Sequence, residues 1–224
     1  MINPTRKQIL HENTRDEIKS VAWKQIEQQS AAQLSLGSIA REMGLTTPAL
    51  YRYFASRNEL VSALIEDAHI SFAQALEKGL SSLPLDDHAG RFRALCQGYR
   101  LWAISHPQPY SLLFGSPVPG YRLDNEAARA AEHSFLILLG VVLAAQQAGK
   151  LSPQTEAVSL SILHGEQQPG PPAMVIHLAL SAWSTIHGIT SLELNGHNQI
   201  ILAEHANEFA EIEITRLMQS IGIK

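Results

Sequence analysis

The segment 36–57, LGSIAREMGLTTPALYRYFASR, constrains the fold more than any other part of this chain of 224 residues. Ser35 can cap a first short helix, and Gly44 can end it because glycine adopts a positive φ angle without steric cost. Thr47 can then act as an N-cap, with Pro48 at the first helical position, where a missing N–H has no consequence. We therefore predict two short helices joined by a tight turn.

The second of these helices has one apolar face for the protein core and an opposite face with an arginine and tyrosines, which is unusual for a face that contacts only solvent. Leu50 and Phe54 lie four residues apart and share the core face. Arg52 points away from that face, close to Tyr51, while Tyr53 lies to one side and could also be half-buried packing. Arginine contacts guanine edges or phosphates, and tyrosine hydroxyls bind phosphates. The pattern therefore predicts a helix that enters a DNA major groove.

The segments on either side predict two further helices. Thr14 and Glu17 have the spacing of a capping box that would open a first helix, and Ser56 and Glu59 have the same spacing before a fourth. The fourth helix is expected from residue 58 to about residue 80, with an inner apolar row at Leu60, Leu64, Ala68, Phe72 and Leu76. We expect a helix-turn-helix domain at residues 1–60 and a second domain at residues 61–224.

The second domain has helical patterns and no strand pattern, so the predicted fold class is all-α. Asp86 or Asp87 can cap the next helix, and residues 107–114 form a short one. A helix that opens at residues 152–153 should end near residue 165, and the segment GEQQPGPP at 165–172 is expected to be an exposed loop.

Composition narrows the class of protein. The only cysteine, Cys96, cannot form an intrachain disulfide, which suits a reducing cytoplasm. No apolar run reaches the ~18 residues of a membrane span, so no membrane association is expected. Residues 1–60 hold 8 Lys and Arg against 6 Asp and Glu, whereas residues 61–224 hold 9 against 15. The end predicted to approach DNA is therefore the more basic one.

An enzyme is the main alternative class. The chain has ten histidines, but it has no His-Glu-x-x-His, no Cys-x-x-Cys, no glycine-rich phosphate loop and no Gly-x-Ser-x-Gly elbow. His164 and Glu166 are two residues apart, which is not a useful metal-ligand spacing. We therefore expect no catalytic residues, no metal and no cofactor.

The run SLGSIAREMGLTTPALYRYFASRNEL resembles the amino-terminal DNA-binding domain of the TetR family of bacterial transcriptional regulators. The matching residues are Ala40, Gly44, the Leu-Tyr-x-Tyr-Phe string at 50–54, Arg57 and Leu60. The resemblance implies a homodimer, usually a repressor, that binds a palindromic DNA operator and is released by a small-molecule effector. By position, it implies base-edge contacts by Thr46, Thr47, Pro48, Ala49 and Arg52, and phosphate contacts by Ser35, Gly37, Ser38, Tyr51, Tyr53 and Arg57. Arg6 and Lys7 are expected to form a mobile arm, as in some members.

The carboxy-terminal part resembles a Trp-His-Gly subgroup of the same family, through WSTIHG at 183–188 and FGSPVPGY at 114–121. Polar-tipped aromatic residues and histidines fall on helices that the family packs around a cavity. The resulting ligand-pocket prediction comprises Tyr99, Trp102, Tyr110, Phe114, His133, Trp183 and His187. Taken singly, each of them could instead be ordinary core packing. A DNA-binding scaffold without a small-molecule ligand is the second alternative.

The last two helices are expected to form the dimer. The segment at about 172–194 is apolar nearly all round, and the final helix has a row with small residues at its start, namely Ala203, Ala206, Ala210, Ile214, Leu217 and Ile221. We predict that both helices pair with their copies as a four-helix bundle. The alternative is that the row packs within its own domain.

Overall fold

A computed structural model of the chain describes residues 5–122, 124–152, 171–197 and 199–223. Among these residues there is one isolated antiparallel bridge, between Leu151 and Ile223, and otherwise only helices and loops, which confirms the all-α class. The α-helices are α1 (Arg6–Gln29), α2 (Leu36–Glu42), α3 (Thr47–Leu50), α4 (Arg57–Ser81), α5 (His88–Ser105), α6 (Pro107–Phe114), α7 (Asn125–Gln147), α8 (Ala173–Leu194), α9 (Gln199–Leu202) and α10 (Ala206–Ile221). Two 3-10 turns lie at Ala31–Gln33 and Ala203–His205.

The chain divides into two compact units, and the first contains more than the predicted helix-turn-helix domain. It comprises Met1–His69 together with Gln108–Ala130. Leu50 and Phe54 are fully buried in its core, as are Ile18, Ile39 and Leu60. Leu112, Val118 and Ala127 join the same core. The segment around the α6–α7 loop therefore belongs with the helix-turn-helix, which a linear division at residue 60 does not anticipate.

Helix α1 begins earlier than the sequence predicts. Thr5 is its N-cap and forms a capping box with Gln8, so the box predicted at Thr14 and Glu17 is wrong. Thr14 lies inside the helix, and its hydroxyl donates to the Leu10 carbonyl at 3.0 Å, which removes it from capping. The expected mobile arm, Arg6 and Lys7, instead forms the first turn of α1.

Helix α4 follows its predicted pattern closely. The Ser56 hydroxyl accepts from the Glu59 amide at 3.1 Å, as the predicted capping box requires. The Glu59 carboxylate, however, accepts from the Ala55 amide at 2.6 Å. The inner row is buried throughout, at Leu60, Leu64, Ala68, Phe72 and Leu76. The helix supplies residues to both units, because the boundary between them falls between His69 and Ile70.

The second unit comprises Ile70–Pro107 and Ala131–Lys224. Asp87 caps α5, with its carboxylate accepting from the Gly90 amide at 2.8 Å. Helices α5 and α8 are joined by a partly buried ion pair in which Arg100 donates to both carboxylate oxygens of Glu193, at 2.6 and 2.5 Å.

The final helix differs from its prediction, because it is interrupted by the 3-10 turn Ala203–His205. The later part of the predicted row is buried inside the second unit, at Ala210, Ile214, Leu217 and Ile221. That part therefore packs within its own domain, which was the alternative interpretation. The predicted helix from residue 152 to 165 and most of the predicted loop at 165–172 lie outside the described residues.

Helices α7 and α8 are long and apolar enough to cross a bilayer by length and composition alone. The prediction from the sequence did not include these two helices as candidate spans, because it rested on uninterrupted apolar runs. Buried helices of soluble proteins meet the same criterion, and one third of each tested window, 33%, is already buried within the chain.

Candidate functional site

The turn between α2 and α3 is built by local capping. The Ser35 hydroxyl accepts from the Ser38 amide at 3.4 Å, which confirms the predicted cap of α2. Gly44 has a φ angle of +67°, as predicted for the residue that ends this helix. The N-cap of α3 is Thr46, whose hydroxyl accepts from the Ala49 amide at 3.3 Å, so the prediction of Thr47 as cap is wrong by one residue.

Helix α3 is short, and the chain after Leu50 continues in tighter turns. The Tyr51 amide still donates to the Thr47 carbonyl, at 3.2 Å, whereas the Arg52 amide donates only three residues back, to Ala49, at 3.2 Å. Such i to i+3 bonds are the usual way for a helix end to satisfy its last groups. We refer to residues 46–53 as the reading segment.

The reading segment is fixed on one side and open on the other. Leu50 is fully buried beneath it, and Phe54 is fully buried just after it. The residues predicted to lie near base edges are exposed at Thr46, Thr47, Pro48 and Arg52, and half-buried at Ala49. Tyr51 retains 49% of its exposure, and Tyr53 is half-buried. The side chains of this segment that are predicted to contact DNA are therefore at least partly accessible to solvent.

Two residues of α1 contact the end of the reading segment, and neither was among the predicted site residues. The Arg15 guanidinium donates to the Tyr53 carbonyl and lies 4.1 Å from the centre of the Phe54 ring. One helical turn earlier, the His11 ring lies 4.8 Å from the Tyr53 ring. Their four-residue spacing, on the face of α1 turned toward Tyr53, was the available signal.

Arg57 has an internal environment that the sequence does not reveal. Its guanidinium donates to four backbone carbonyls, those of Ala31 at 2.7 Å, Leu34 at 3.0 Å, Ala32 at 3.1 Å and Pro119 at 3.3 Å. These bonds tie the turn before α2 to the start of α4 and to the α6–α7 loop. The predicted phosphate contact of Arg57 stays a prediction, but its nitrogen atoms already have acceptors within the protein.

The α6–α7 loop is attached to the same end of α4. Asn58 donates to the Gly120 carbonyl at 3.0 Å, and the Ser62 and Tyr121 hydroxyls lie 3.2 Å apart. A hydrogen bond from Ser62 also lowers the pKa of Asp124, helped by backbone amides at the start of α7. The loop is therefore a fixed part of the unit that carries the reading segment.

The second unit contains a cavity among α4, α5, α7 and α8. It is a small space that is partly open to solvent. Its walls are apolar and are formed by Leu76, Leu95, Cys96, Tyr99, Leu138, Ala182, Trp183 and Ile186.

Only two of the seven predicted pocket residues line this cavity. Tyr99 and Trp183 line the cavity, and His187 reaches it indirectly, because its Nδ1 lies 3.0 Å from the Tyr99 hydroxyl. Trp102 is buried behind the cavity, with its indole N–H donating to the Ser71 hydroxyl at 3.1 Å. His133 is exposed and 3.2 Å from the Glu77 carboxylate. Tyr110 and Phe114 belong to the first unit and do not line this cavity, so their role in ligand binding stays a prediction.

Sequence comparison places this arrangement in a known family. Residues 18–64 match the family model described as bacterial regulatory proteins, tetR family, and residues 92–217 match the tetracyclin repressor-like C-terminal domain. The chain belongs to the TetR family. Proteins of this family are transcriptional regulators with a DNA-binding domain and are not enzymes. Membership in this family implies a cytoplasmic location. The Trp-His-Gly subgroup stays a prediction.

Individual relatives agree with this assignment. The HTH-type transcriptional regulator Mb1846 of Mycobacterium bovis is 36% identical over 104 residues, and this match spans 46% of the chain and 44% of that protein. The chain thus spans less than half the length of the curated relatives it matches. The crystal structure of regulatory protein SCO4313 is 35% identical and superposes with a TM-score of 0.80 over 97% of this chain and 100% of that one. PfmR from Thermus thermophilus, at 15% identity, covers 91% of this chain and 98% of its own with a TM-score of 0.61, which supports the fold alone.

Proposed function

We propose that this TetR-family chain is a repressor that binds a palindromic DNA operator as a homodimer and leaves it when a small molecule occupies the second unit. The observation that carries the proposal is the two-sided reading segment. Leu50 on its inner side has no exposure, whereas Tyr51 and Arg52 on its outer side are exposed. An exposed tyrosine–arginine pair on a rigidly held segment is suited to phosphate and base-edge contacts.

The proposed contacts fall into two groups. Thr46, Thr47, Pro48, Ala49 and Arg52 would approach base edges, with the small residues allowing close approach. Ser35, Gly37, Ser38, Tyr51 and Tyr53 would contact phosphates, since Ser35 is exposed and Gly37 and Ser38 are half-buried at the start of α2. Arg57 is left out of both groups, because its donors bind carbonyls of the protein.

The dimer is proposed to form through the outer faces of α8 and α10. On α8, Leu180 and Leu192 are 41% and 46% exposed and frame Ser184 and Gly188 at four-residue spacing. A side chain added at Gly188 would meet nothing within 4 Å, so this face is open. On α10, Ile212 is 54% exposed. A second copy of the chain is the occupant that fits, because half-sites of such an operator lie about 34–36 Å, or a multiple of this, apart.

Gly188→Leu tests the dimer. The new side chain would separate two closely packed copies of α8 while facing solvent in a single subunit. We expect sedimentation to show a dimer for the original chain, a monomer for this variant, and a dimer for the control Gly140→Leu, whose glycine also has open space around it. A monomeric original chain would contradict the proposal.

Ligand response is proposed to act through α4, which supplies residues to both units. A ligand that favours one position of α4 would change the spacing of the two reading segments by population shift, with a coupling free energy of about 1–3 kcal/mol. The alternative is a DNA-binding scaffold without a ligand. A ligand would raise the melting temperature as its concentration exceeds Kd, whereas a scaffold would show no such effect for any candidate compound.

Selection from a random pool of duplex DNA tests the proposal as a whole. We expect the chain to enrich one palindrome. Arg52→Ala should relax base preference in the selected sequences, whereas Arg129→Ala, which removes an exposed arginine of α7, should recover the same palindrome. Loss of preference with both variants, or with neither, would contradict the assignment of base reading to Arg52.

A further inference from the structure

We infer that His11 of α1 is a further contact to an operator phosphate and that its protonation strengthens operator binding. This inference deepens the proposed function and rests on it. The ring of His11 lies 4.8 Å from the ring of Tyr53, centre to centre, and the two ring planes are tilted by 32°. Because the Tyr53 hydroxyl projects from the same ring, a phosphate bound by that hydroxyl would lie beside the imidazole.

The amino-terminal part of α1 is fixed on both sides of His11. Before it, the Thr5 hydroxyl accepts from the Gln8 amide at 3.3 Å, and the Gln8 carboxamide oxygen accepts from the Thr5 amide at 2.7 Å. One helical turn after it, the Arg15 guanidinium donates to the Tyr53 carbonyl. The helix therefore presents the His11 side chain at a defined place beside the reading segment.

His11 is more accessible to a phosphate than Arg15 is. The His11 side chain is 46% exposed, and the neighbouring Glu12 carboxylate lies 3.8 Å from its Nδ1, which is longer than a hydrogen bond. The Arg15 side chain is only 26% exposed, donates to the Tyr53 carbonyl and lies 3.9 Å from the Glu59 carboxylate. Arg15 therefore positions the reading segment, whereas His11 can bind an anion from solution.

The charged and titratable groups that face His11 are few. On α1 they are Lys7 and Arg15, one helical turn before and after it, and Glu12 beside it, and on the reading segment the facing group is Tyr53. Histidine side chains exchange a proton between about pH 5 and 8, and the protonated ring donates from both nitrogen atoms. A nearby phosphate favours the protonated ring, so operator binding should take up a proton.

Two substitutions at His11 separate its charge from its packing against Tyr53. Fluorescence anisotropy measures affinity for the selected palindrome at about pH 6 and about pH 8, at constant ionic strength. The original chain should bind more tightly at the lower pH, by up to about fivefold for each subunit on the operator. His11→Gln should lose this gain, whereas His11→Lys should bind at the higher pH as tightly as the original chain does at the lower. His197→Gln is the matched control, because His197 is exposed and belongs to the second unit, and it should keep the pH dependence.

Proton uptake is a second readout, and a packing role alone would not change it. Calorimetry at about pH 7 in two buffers with different ionisation enthalpies counts the protons taken up when the chain binds the palindrome. We expect His11→Gln to take up fewer protons than the original chain, by up to about one for each subunit on the operator. Circular dichroism checks that each variant is folded.

The same pH dependence and proton uptake in the original chain and in His11→Gln would overturn the inference while leaving the proposed function intact. Equal weakening by His11→Gln and His11→Lys at both pH values would also overturn it, because His11 would then act only by packing against Tyr53. Absence of operator binding by the original chain at either pH would contradict the proposed function as well, so the two failures are distinguishable.

Discussion

Replacing Arg57 separates an internal role for this residue from a DNA contact. Arg57→Met retains the apolar stem and removes the guanidinium that donates to four carbonyls. The bonds to Ala31 and Leu34 are partly buried, whereas those to Ala32 and Pro119 are exposed. Hydrogen bonds of charged groups contribute about 1.5–3 kcal/mol each, and exposed ones contribute little. Counting the two partly buried bonds at the lower value gives a loss of about 3 kcal/mol.

A loss of that size should lower the melting temperature by roughly 6–12 °C for a chain of this length. Calorimetry measures the melting temperature, and fluorescence anisotropy over a range of salt concentrations measures operator binding below it. We expect Arg57→Met to have the lower melting temperature and to keep the salt dependence of operator binding of the original chain. Arg52→Met is the matched control, because Arg52 is exposed and its loss should change stability by less than about 0.5 kcal/mol.

The reasoning would be refuted by the opposite pattern. If Arg57→Met melted with the original chain and reduced the slope of log K against log salt by about 0.9, Arg57 would be a phosphate ligand. The internal hydrogen bonds would then contribute nothing measurable.

Three further predictions follow from buried or exposed charges. Burial lowers the pKa of His69 to about 4, so this histidine is protonated in the unfolded chain before it is protonated in the folded one as the pH falls. The free energy of unfolding should therefore drop by up to about 3 kcal/mol between about pH 6.5 and 4. Urea unfolding of His69→Phe should lack this drop. Arg100→Met should destabilise the chain by about 3–5 kcal/mol in urea unfolding, because it leaves Glu193 without its partner, and Arg100→Met with Glu193→Met should recover most of the loss. Arg52→Ala should cost about 1–3 kcal/mol of discrimination at one base pair in anisotropy measurements, and an equal loss for every sequence would contradict base reading.

In the first unit, local sequence patterns predicted the features that depend on neighbouring residues. Ser35, Gly44 and the inner row of α4 could be predicted because capping, positive φ and four-residue spacing act over one or two helical turns. The start of α1 could not, because both Thr5 and Thr14 satisfy a capping pattern and only the folded helix shows which is used. The internal hydrogen bonds of Arg57 could not be predicted for another reason, since its acceptors lie 23 to 62 residues away in sequence.

The pocket illustrates the same limit. The cavity-lining positions of Tyr99 and Trp183 could be predicted because aromatic residues on inward faces point to a core or a cavity. The place of Tyr110 and Phe114 in the first unit could not be predicted, because nothing in the sequence indicates that α6 joins the first unit rather than the second. The inward row of α10 was correctly recognised as apolar, but helical periodicity does not tell a subunit core from a dimer interface.

The central claim is that the outer side of the reading segment recognises duplex DNA. Its most direct test is the ratio of affinities for the selected palindrome and a scrambled duplex at about 150 mM salt, measured for the original chain and for the double variant Tyr51→Ala, Arg52→Ala. We predict a ratio of at least about 10³ for the original chain and its collapse in a variant that remains folded. A ratio near one for the original chain, or an undiminished ratio for the variant, would contradict the account.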